Sequence, residues 1–485
     1  MRILLLPVLF FAIALPAAFS ADENRPNILM IAIDDLNDWV GAMNAHPNAR
    51  TPNIDALAET GTLFTNAHAA APLCGPTRAA ILSGLRPSTT GIYGHNDLDA
   101  ILENPHIAET TLLPFYFREH GYKLLATGKI FHEGSPLAAF DEVGLEQRDF
   151  GPRPARRVRL SYVPPEGTHT STDWGVFPET DEEMPDYRSA QWAIEQLGKQ
   201  HDRPFFLSVG FVRPHVPWYV PQKWFDLHPL EEIVLPLHRE DQFDDLPETA
   251  KRFSVLPAFP KMEWMREEQR WEKSVQAYLA SVSFVDYYIG EILDALAQSP
   301  YADNTIVMLW SDHGYHLGQK GIWAKHTLWE ESTRIPMIIA RPGDNQPRQS
   351  HRPVDHLDIY PTLLELANLP PNPSNEGRSL VPLLDDPEAE GFEAALTTHG
   401  YGNHAVRTLR WRYIRYEDGA EELYDHFVDP NEWKNLAGRA QYEKIIAELR
   451  NHLPDTDAAW DPLSVRGADY NDYFSELLER TRADR

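Results

Sequence analysis

Asn27-Ile28-Leu29-Met30-Ile31-Ala32-Ile33 is an almost wholly apolar, β-prone run that stops abruptly at Asp34-Asp35. A strand with one wet face would alternate; a continuous apolar run predicts a strand covered on both faces, as in parallel sheets flanked by helices. Three later segments have the same form. Residues 122–126 lead to Gly128-Lys129, residues 205–211 to Arg213-Pro214-His215, and residues 305–310 to Ser311-Asp312-His313. In open α/β sheets, ligands bind outside the carboxyl ends of the strands, so these four polar ends are expected to converge.

Helical signals fall between the strands. Thr51-Pro52 followed by Ile54, Leu57 and Gly61 reads as an N-cap, a first-turn proline, a short amphipathic helix and a glycine stop. Between Trp271 and Gln298, Val275, Leu279, Val282, Val285, Ile289, Leu293 and Leu296 recur at helical spacing, a core stripe to which no chemistry is assigned. Residues 355–369 predict a further helix, and the proline-rich run at 370–374 a boundary. Beyond it, residues 404–407, 411–416 and 422–424 read as hairpin strands, followed by helices near 441–453 and 470–480. The expected organisation is a signal peptide at 1–20, an α/β catalytic unit at 21–375 and an α+β subdomain at 376–485. Residues 151–165 and 231–249 read as surface insertions.

The 485 residues are 42% hydrophobic and 11% aromatic, enough for a sizeable core and more than one domain. A net charge of −28 argues against nucleic acid as a partner, and means that an anionic substrate would need a local cluster of cations. Arg2, the apolar run 3–15 and Ala18-Phe19-Ser20 read as a secretory signal cleaved near Ala21. That run is short for a membrane span and no later segment approaches one, so the expectation is an exported protein, periplasmic or secreted, without a stable membrane anchor. Export permits disulfides, yet Cys74 is the only cysteine. Taken singly it reads as a small buried hydrophobe.

Its neighbours give it another meaning. Cys74-Gly75-Pro76-Thr77-Arg78 continues as Ala79-Ala80-Ile81-Leu82-Ser83-Gly84, and this run resembles the type I, formylglycine-dependent sulfatases of the alkaline-phosphatase superfamily. The resemblance implies a large, mixed, mostly parallel sheet sandwiched by helices, with a smaller C-terminal subdomain. It also implies that a formylglycine-generating enzyme oxidises Cys74 to an aldehyde whose hydrate is the nucleophile. The local physics agrees: Pro76 suits the first turn of a helix, so residue 74 would lie at an N-terminus, where backbone dipoles favour negative charge. Arg78, one turn on, is placed to hold the residue-74 hydroxyl and a substrate oxygen.

Three carboxylates, Asp34, Asp35 and Asp312, would repel one another if brought together, and a divalent cation would resolve the conflict. Oxygen-rich ligation suits Ca²⁺ or Mg²⁺. The resemblance favours Ca²⁺, held by Asp34, Asp35, Asp312, His313 and the oxygen of residue 74. His313 stands where many members carry Asn or Gln, and imidazole also suits zinc and manganese.

Residues 121–132 resemble the second sulfatase signature, with Leu124 where a hydroxyl residue is usual. The resemblance gives Lys129 a sulfate oxygen and the formylglycine, and His132 a hydrogen bond to the diol. By analogy Lys325 contacts the sulfate, while His215 is the candidate general acid, since histidine changes charge near neutral pH without much tuning. His316 and His326 stay open between substrate contact and structure.

Within the family, the segments at 128–132, 213–217, 311–318 and 323–326 most resemble the iduronate 2-sulfatases, whereas residues 327–336 look like sulfatases in general. The expected substrates are glycosaminoglycan or other sulfated polysaccharide fragments. A phosphonate monoester or phosphodiester hydrolase of the same superfamily, and a non-catalytic sulfated-glycan binder with unmodified Cys74, are the alternatives.

Overall fold

The computed structural model describes residues 25–155, 170–466 and 472–483. The expected signal peptide, part of the 151–165 insertion and the start of the 470–480 helix lie outside them.

An eight-stranded sheet runs through the larger part of the chain. Its strands are β1 (Asn27–Asp34), β2 (Thr62–Phe64), β3 (Lys123–Gly128), β4 (Glu142–Val143), β5 (Phe205–Pro214), β6 (Thr305–Ser311), β7 (Met337–Ala340) and β8 (Arg348–Ser350). Their order across the sheet is β8-β2-β7-β6-β1-β5-β3-β4. Five of the seven pairings are parallel; only β7 runs antiparallel to both neighbours, β6 and β2. The sheet is therefore mixed and mostly parallel, as the family resemblance implied, and its parallel part is built from the apolar runs.

Every residue of β1 is buried, and its side chains alternate between two cores. Leu29, Ile31 and Ile33 pack with helices α1 (Pro52–Thr60), α3 (Pro185–Leu197) and α4 (Trp271–Gln298). Ile28, Met30 and Ala32 face α2 (Cys74–Ser83) and α5 (Ile359–Leu366). Each large aliphatic side chain so covered contributes roughly 1.5–3 kcal/mol relative to exposure, which explains why no polar residue interrupts the run.

Two local expectations change. Thr51 precedes α1 but does not cap it: its hydroxyl accepts from Gly41 N (2.8 Å) and donates to Asp55 Oδ1 (3.0 Å). The 355–369 segment begins as a short strand and a single 3₁₀ turn at His356–Asp358 before α5, with Asp355 capping that turn.

The second sheet contains β9 (Ala395–Thr398), β10 (His404–Arg407), β11 (Trp411–Arg415) and β12 (Glu421–Asp425), antiparallel and in chain order. Helix α6 (Glu443–Arg450) covers one face through Ile446 and Leu449. The other face meets Trp329 and Phe253 of the main body and Phe474 and Leu477 of α7 (Asp472–Ala483). The intervening Leu380, Leu383 and Leu384 pack beneath the large sheet. No helix among the described residues is long and apolar enough to cross a membrane.

Candidate active site

Strands β6, β1, β5 and β3 are neighbours, so their carboxyl ends lie side by side. Asp34 ends β1, and Asp35 follows in the left-handed region at φ 63°, a conformation that costs a non-glycine residue about 1 kcal/mol or more unless its surroundings hold it. They do. Asp35 N donates to Asp312 Oδ1 (3.1 Å), and Tyr278 of α4 donates its hydroxyl to Asp35 O (2.8 Å). The stripe read as core thus includes a residue whose hydroxyl fixes the site's geometry.

Cys74 is the first residue of α2, after Leu73 in extended conformation. Thr77 ties the entry down, its Oγ1 donating to Ala71 O (2.5 Å) and accepting from Ala71 N (3.0 Å). Gly75 allows the loop above to descend, since a Cβ there would lie 2.7 Å from His95 Cα. Gly210 in β5 serves Lys129 in the same way: a Cβ would meet the Lys129 carbonyl oxygen at 2.2 Å.

Lys129 Nζ donates to Asp34 Oδ2 (2.5 Å), and Lys325 Nζ to Asp35 Oδ1 (2.6 Å). Arg78 Nε donates to Asp312 Oδ2 (2.9 Å), while its Nη1 reaches the carbonyl oxygens of Lys129 and Ile130. All three carboxylates are fully buried, and each has a cationic partner. Mutual repulsion therefore does not by itself demand a metal, which modifies the sequence argument. Orphaned atoms make the better case: Asp34 Oδ1, Asp35 Oδ2 and His313 Nε2 are buried without a hydrogen-bond partner. His313 Nδ1 donates to Gly314 O (3.0 Å), so Nε2 is the nitrogen turned toward the carboxylates.

Ligand atoms of Asp34, Asp35, Cys74 and His313 lie within 4.8 Å of one another, so these residues fit a divalent cation. Asp312 stands beside that group, its Oδ1 3.5 Å from His313 Nε2 and its Oδ2 engaged by Arg78. Arg78, expected at the substrate, is oriented here by Asp312 and backbone carbonyls.

The environment favours negative charge at residue 74. Burial alone would raise the thiol's pKa, but Lys129 and Lys325 outweigh it and hold the thiol well below its ordinary value, helped by hydrogen bonds from His132 and His215. Burial likewise pushes the Asp34 carboxyl up, and Lys129 more than reverses that. Burial takes the His132 imidazole down to about 3, so it is neutral at ordinary pH. His215 is partly buried and donates from Nδ1 to Val216 O (2.6 Å).

Cys74, His132, His215 and Lys325 line a cavity of about 310 Å³ that also receives His95, Arg148, Phe150 and Arg466. Sequence reading missed these last four because none ends an apolar strand. His95 stacks on His132 with ring centroids 3.8 Å apart. His326 lines the cavity, whereas His316 is turned to Thr327 Oγ1 (2.9 Å) and Gln319 O (3.2 Å), a structural role.

Comparison with known proteins bears on this arrangement. The sequence model of the family described as Sulfatase matches residues 26–369, and that of the N-sulphoglucosamine sulphohydrolase C-terminal region matches residues 318–459. A Formosa agariphila protein named sulfatase is 46% identical, covering 95% of this chain and 92% of its own. The mouse iduronate 2-sulfatase is 31% identical over 75% of this chain and 73% of its own. Among solved structures, a phosphonate monoester hydrolase of Agrobacterium radiobacter superposes with a TM-score of 0.70 at 22% identity, covering 95% of this chain and 96% of that one, which is a likeness of fold.

Proposed function

The chain belongs to the sulfatase family and is a sulfuric ester hydrolase, and from that premise we propose that it acts on sulfated saccharides at the Cys74 cavity. One observation carries the reading: ligand atoms of Asp34, Asp35, Cys74 and His313 lie within 4.8 Å of one another, three of these residues carry an orphaned buried atom, and Cys74 and Lys325 line a cavity. Formylglycine made from Cys74 by a formylglycine-generating enzyme would supply the hydrated aldehyde as nucleophile. A divalent cation, Ca²⁺ on the family resemblance, would be held by Asp34, Asp35, His313 and residue 74 with Asp312 alongside, and would supply Lewis-acid polarisation of a sulfate oxygen.

The chain's own residues perform the rest. Lys129 and Lys325 stabilise negative charge at residue 74 and meet the sulfate oxygens as charge moves toward the leaving alcohol. Arg78 locks Asp312 and the Lys129 backbone, so both keep their places during turnover. Neutral His132, which accepts from Arg148 at Nε2, donates a hydrogen bond to residue 74 without competing for its charge. His215, its Nδ1–H held by Val216 O, is oriented so that in its doubly protonated form it gives the Nε2 proton to the departing alcohol.

The motifs shared with the iduronate 2-sulfatases, and the mouse relative, support glycosaminoglycan or similar sulfated polysaccharide fragments as the substrate class. Residues 1–20 support export to the periplasm or medium. The test is sulfate release by protein co-expressed with a formylglycine-generating enzyme, across aryl sulfate, aryl phosphodiester and defined sulfated disaccharides. Preference for the phosphodiester, or saccharide binding without turnover, would replace this reading.

A further inference from the structure

Two arginines at the mouth of the cavity have no part in the chemistry described above. Arg148 Nη1 donates to His132 Nε2 (2.8 Å), and its Cζ lies 4.8 Å from the centroid of the Phe150 ring, which holds the guanidinium plane in place. Arg466 arrives from the far end of the chain. Its carbonyl accepts from His95 N (2.7 Å), and both guanidinium groups reach Glu133: Arg466 Nη2 at 3.1 Å and Arg148 Nη2 at 3.8 Å.

The backbone, more than the long side chain, fixes where Arg466 stands. Residues 459–466 lie so close to the 91–95 turn that a Cβ on Gly91 or Gly94 would meet carbonyl oxygens of Ala459 or Ser464 at 2.1 and 1.9 Å. The same strap seats His95, which stacks on His132.

Charge decides what this pair can do. Deep in the site Asp34, Asp35 and Asp312 are matched by Lys129, Lys325 and Arg78. At the mouth, among the described residues, one carboxylate faces two guanidinium groups, and that carboxylate is more than one-third exposed. At the mouth itself one positive charge is left over, in a chain whose net charge is −28.

We propose that Arg148 and Arg466 form a second anion subsite, which reads a carboxylate or a further sulfate ester on the sugar whose sulfate is aimed at residue 74. The proposal rests on the sulfatase reading of the cavity. Both anions present the paired oxygens that a guanidinium fork binds, and Arg148, touching His132, places them one substituent away from the reacting sulfate. The C-terminal strap thereby becomes part of substrate selection.

The experiment compares kcat/KM of wild type, R148Q, R148K and R466Q on three sulfated disaccharides. One bears a uronate carboxylate, one has that carboxylate reduced to the alcohol, and one is the reduced sugar with a second sulfate. Wild type should prefer an acidic substrate over the reduced one by about 10- to 100-fold, the worth of a charge-assisted hydrogen bond pair. Both glutamine variants should bring the ratio close to one, chiefly through KM, and R148K should keep part of it. A preference for the uronate alone, or for the second sulfate alone, identifies the source of the anion, and either supports the subsite. A wild-type ratio near one, or equal losses on acidic and neutral substrates, overturns it. Turnover of aryl sulfate by wild type reports on the sulfatase reading separately. Calorimetric binding of the desulfated uronate disaccharide, lost in R148Q, reads the subsite without any turnover.

Discussion

Lys325 Nζ donates to Asp35 Oδ1 at 2.6 Å, a fully buried carboxylate bonded to a lysine 290 positions along the chain. The same ammonium lies 3.4 Å from Cys74 Sγ, so one cation serves the metal-side carboxylate and the reacting residue together.

Lys325→Ala would strand the Asp35 charge in the interior. Breaking a buried pair from one side costs about 3–5 kcal/mol, and losing a donor at the reacting centre costs about 10²–10³ in kcat. Denaturant unfolding and steady-state sulfate release should both register the loss. In the double variant with Asp35→Asn the stability loss should be smaller than in the single one, whereas additive losses would mean that the two side chains are not coupled.

Cys74→Ala should abolish turnover, by about 10³-fold or more, because it removes the atom from which the nucleophile is made. In protein matured with its modifying enzyme, the peptide containing residue 74 should be lighter by the exchange of sulfur and two hydrogens for oxygen. Mass spectrometry that finds only the thiol in fully active protein would refute the assignment.

Chelation should inactivate the enzyme and lower its melting temperature, since an ion bound to the folded state alone at 100 times its Kd adds about 2.7 kcal/mol. Ca²⁺ or Mg²⁺ should restore both. His313→Asn keeps a ligand atom while removing the imidazole, and should weaken binding of Zn²⁺ more than of Ca²⁺ in competition titrations.

Gly210→Ala tests how the sheet holds Lys129. The added methyl meets Lys129 backbone atoms at 2.2–2.5 Å, so the loop must move away from Asp34. Overpacking should cost about 1–3 kcal/mol, and the displaced ammonium about 10²-fold in kcat. An unaltered kcat would show that Lys129 does not need this seat.

Acid should destabilise the fold through its buried imidazoles, His46 and His228 among them. Burial pushes His46 and His228 down to about 4 from an ordinary 6.5. His46 donates from Nε2 to Val234 O (3.0 Å) while its Nδ1 accepts from Asn48 N (3.2 Å), and His228 Nε2 bonds Ser283 Oγ (2.9 Å). Between those two values the unfolded chain takes up a proton that the folded one refuses. The stability they contribute is therefore complete above about pH 6.5 and lost as pH falls toward 4, by about 2 kcal/mol each at pH 5. Unfolding curves at pH 7.5 and 5 should show the loss, and His46→Gln and His228→Gln should each reduce the difference between them.

The architecture was legible because hydrophobic patterning is local. The apolar runs that end in Asp34, Lys129, His215 and Asp312 gave strands in the places expected, and the stripe from Trp271 to Gln298 gave α4 to the residue. Tyr278 escaped notice because a helical stripe reveals which face is buried and not which hydroxyl meets a turn 243 positions away.

By itself, then, the sequence determined the strands, the helix that begins at Cys74, and the residue types gathered at the strand ends, since each follows from short-range pattern and motif. Only the tertiary structure decided which charge neutralises which. It paired Asp34 with Lys129, Asp35 with Lys325 and Asp312 with Arg78, left three ligand atoms unsatisfied, and brought His95, Arg148 and Arg466 to the rim of the cavity. Spacing along a chain carries no information about such contacts. Coulomb and hydrogen-bond energies depend on distances of a few ångströms, and those are set by close approaches such as Gly75 on His95 and Gly210 on Lys129 that exist only once the sheet and the C-terminal strap have packed.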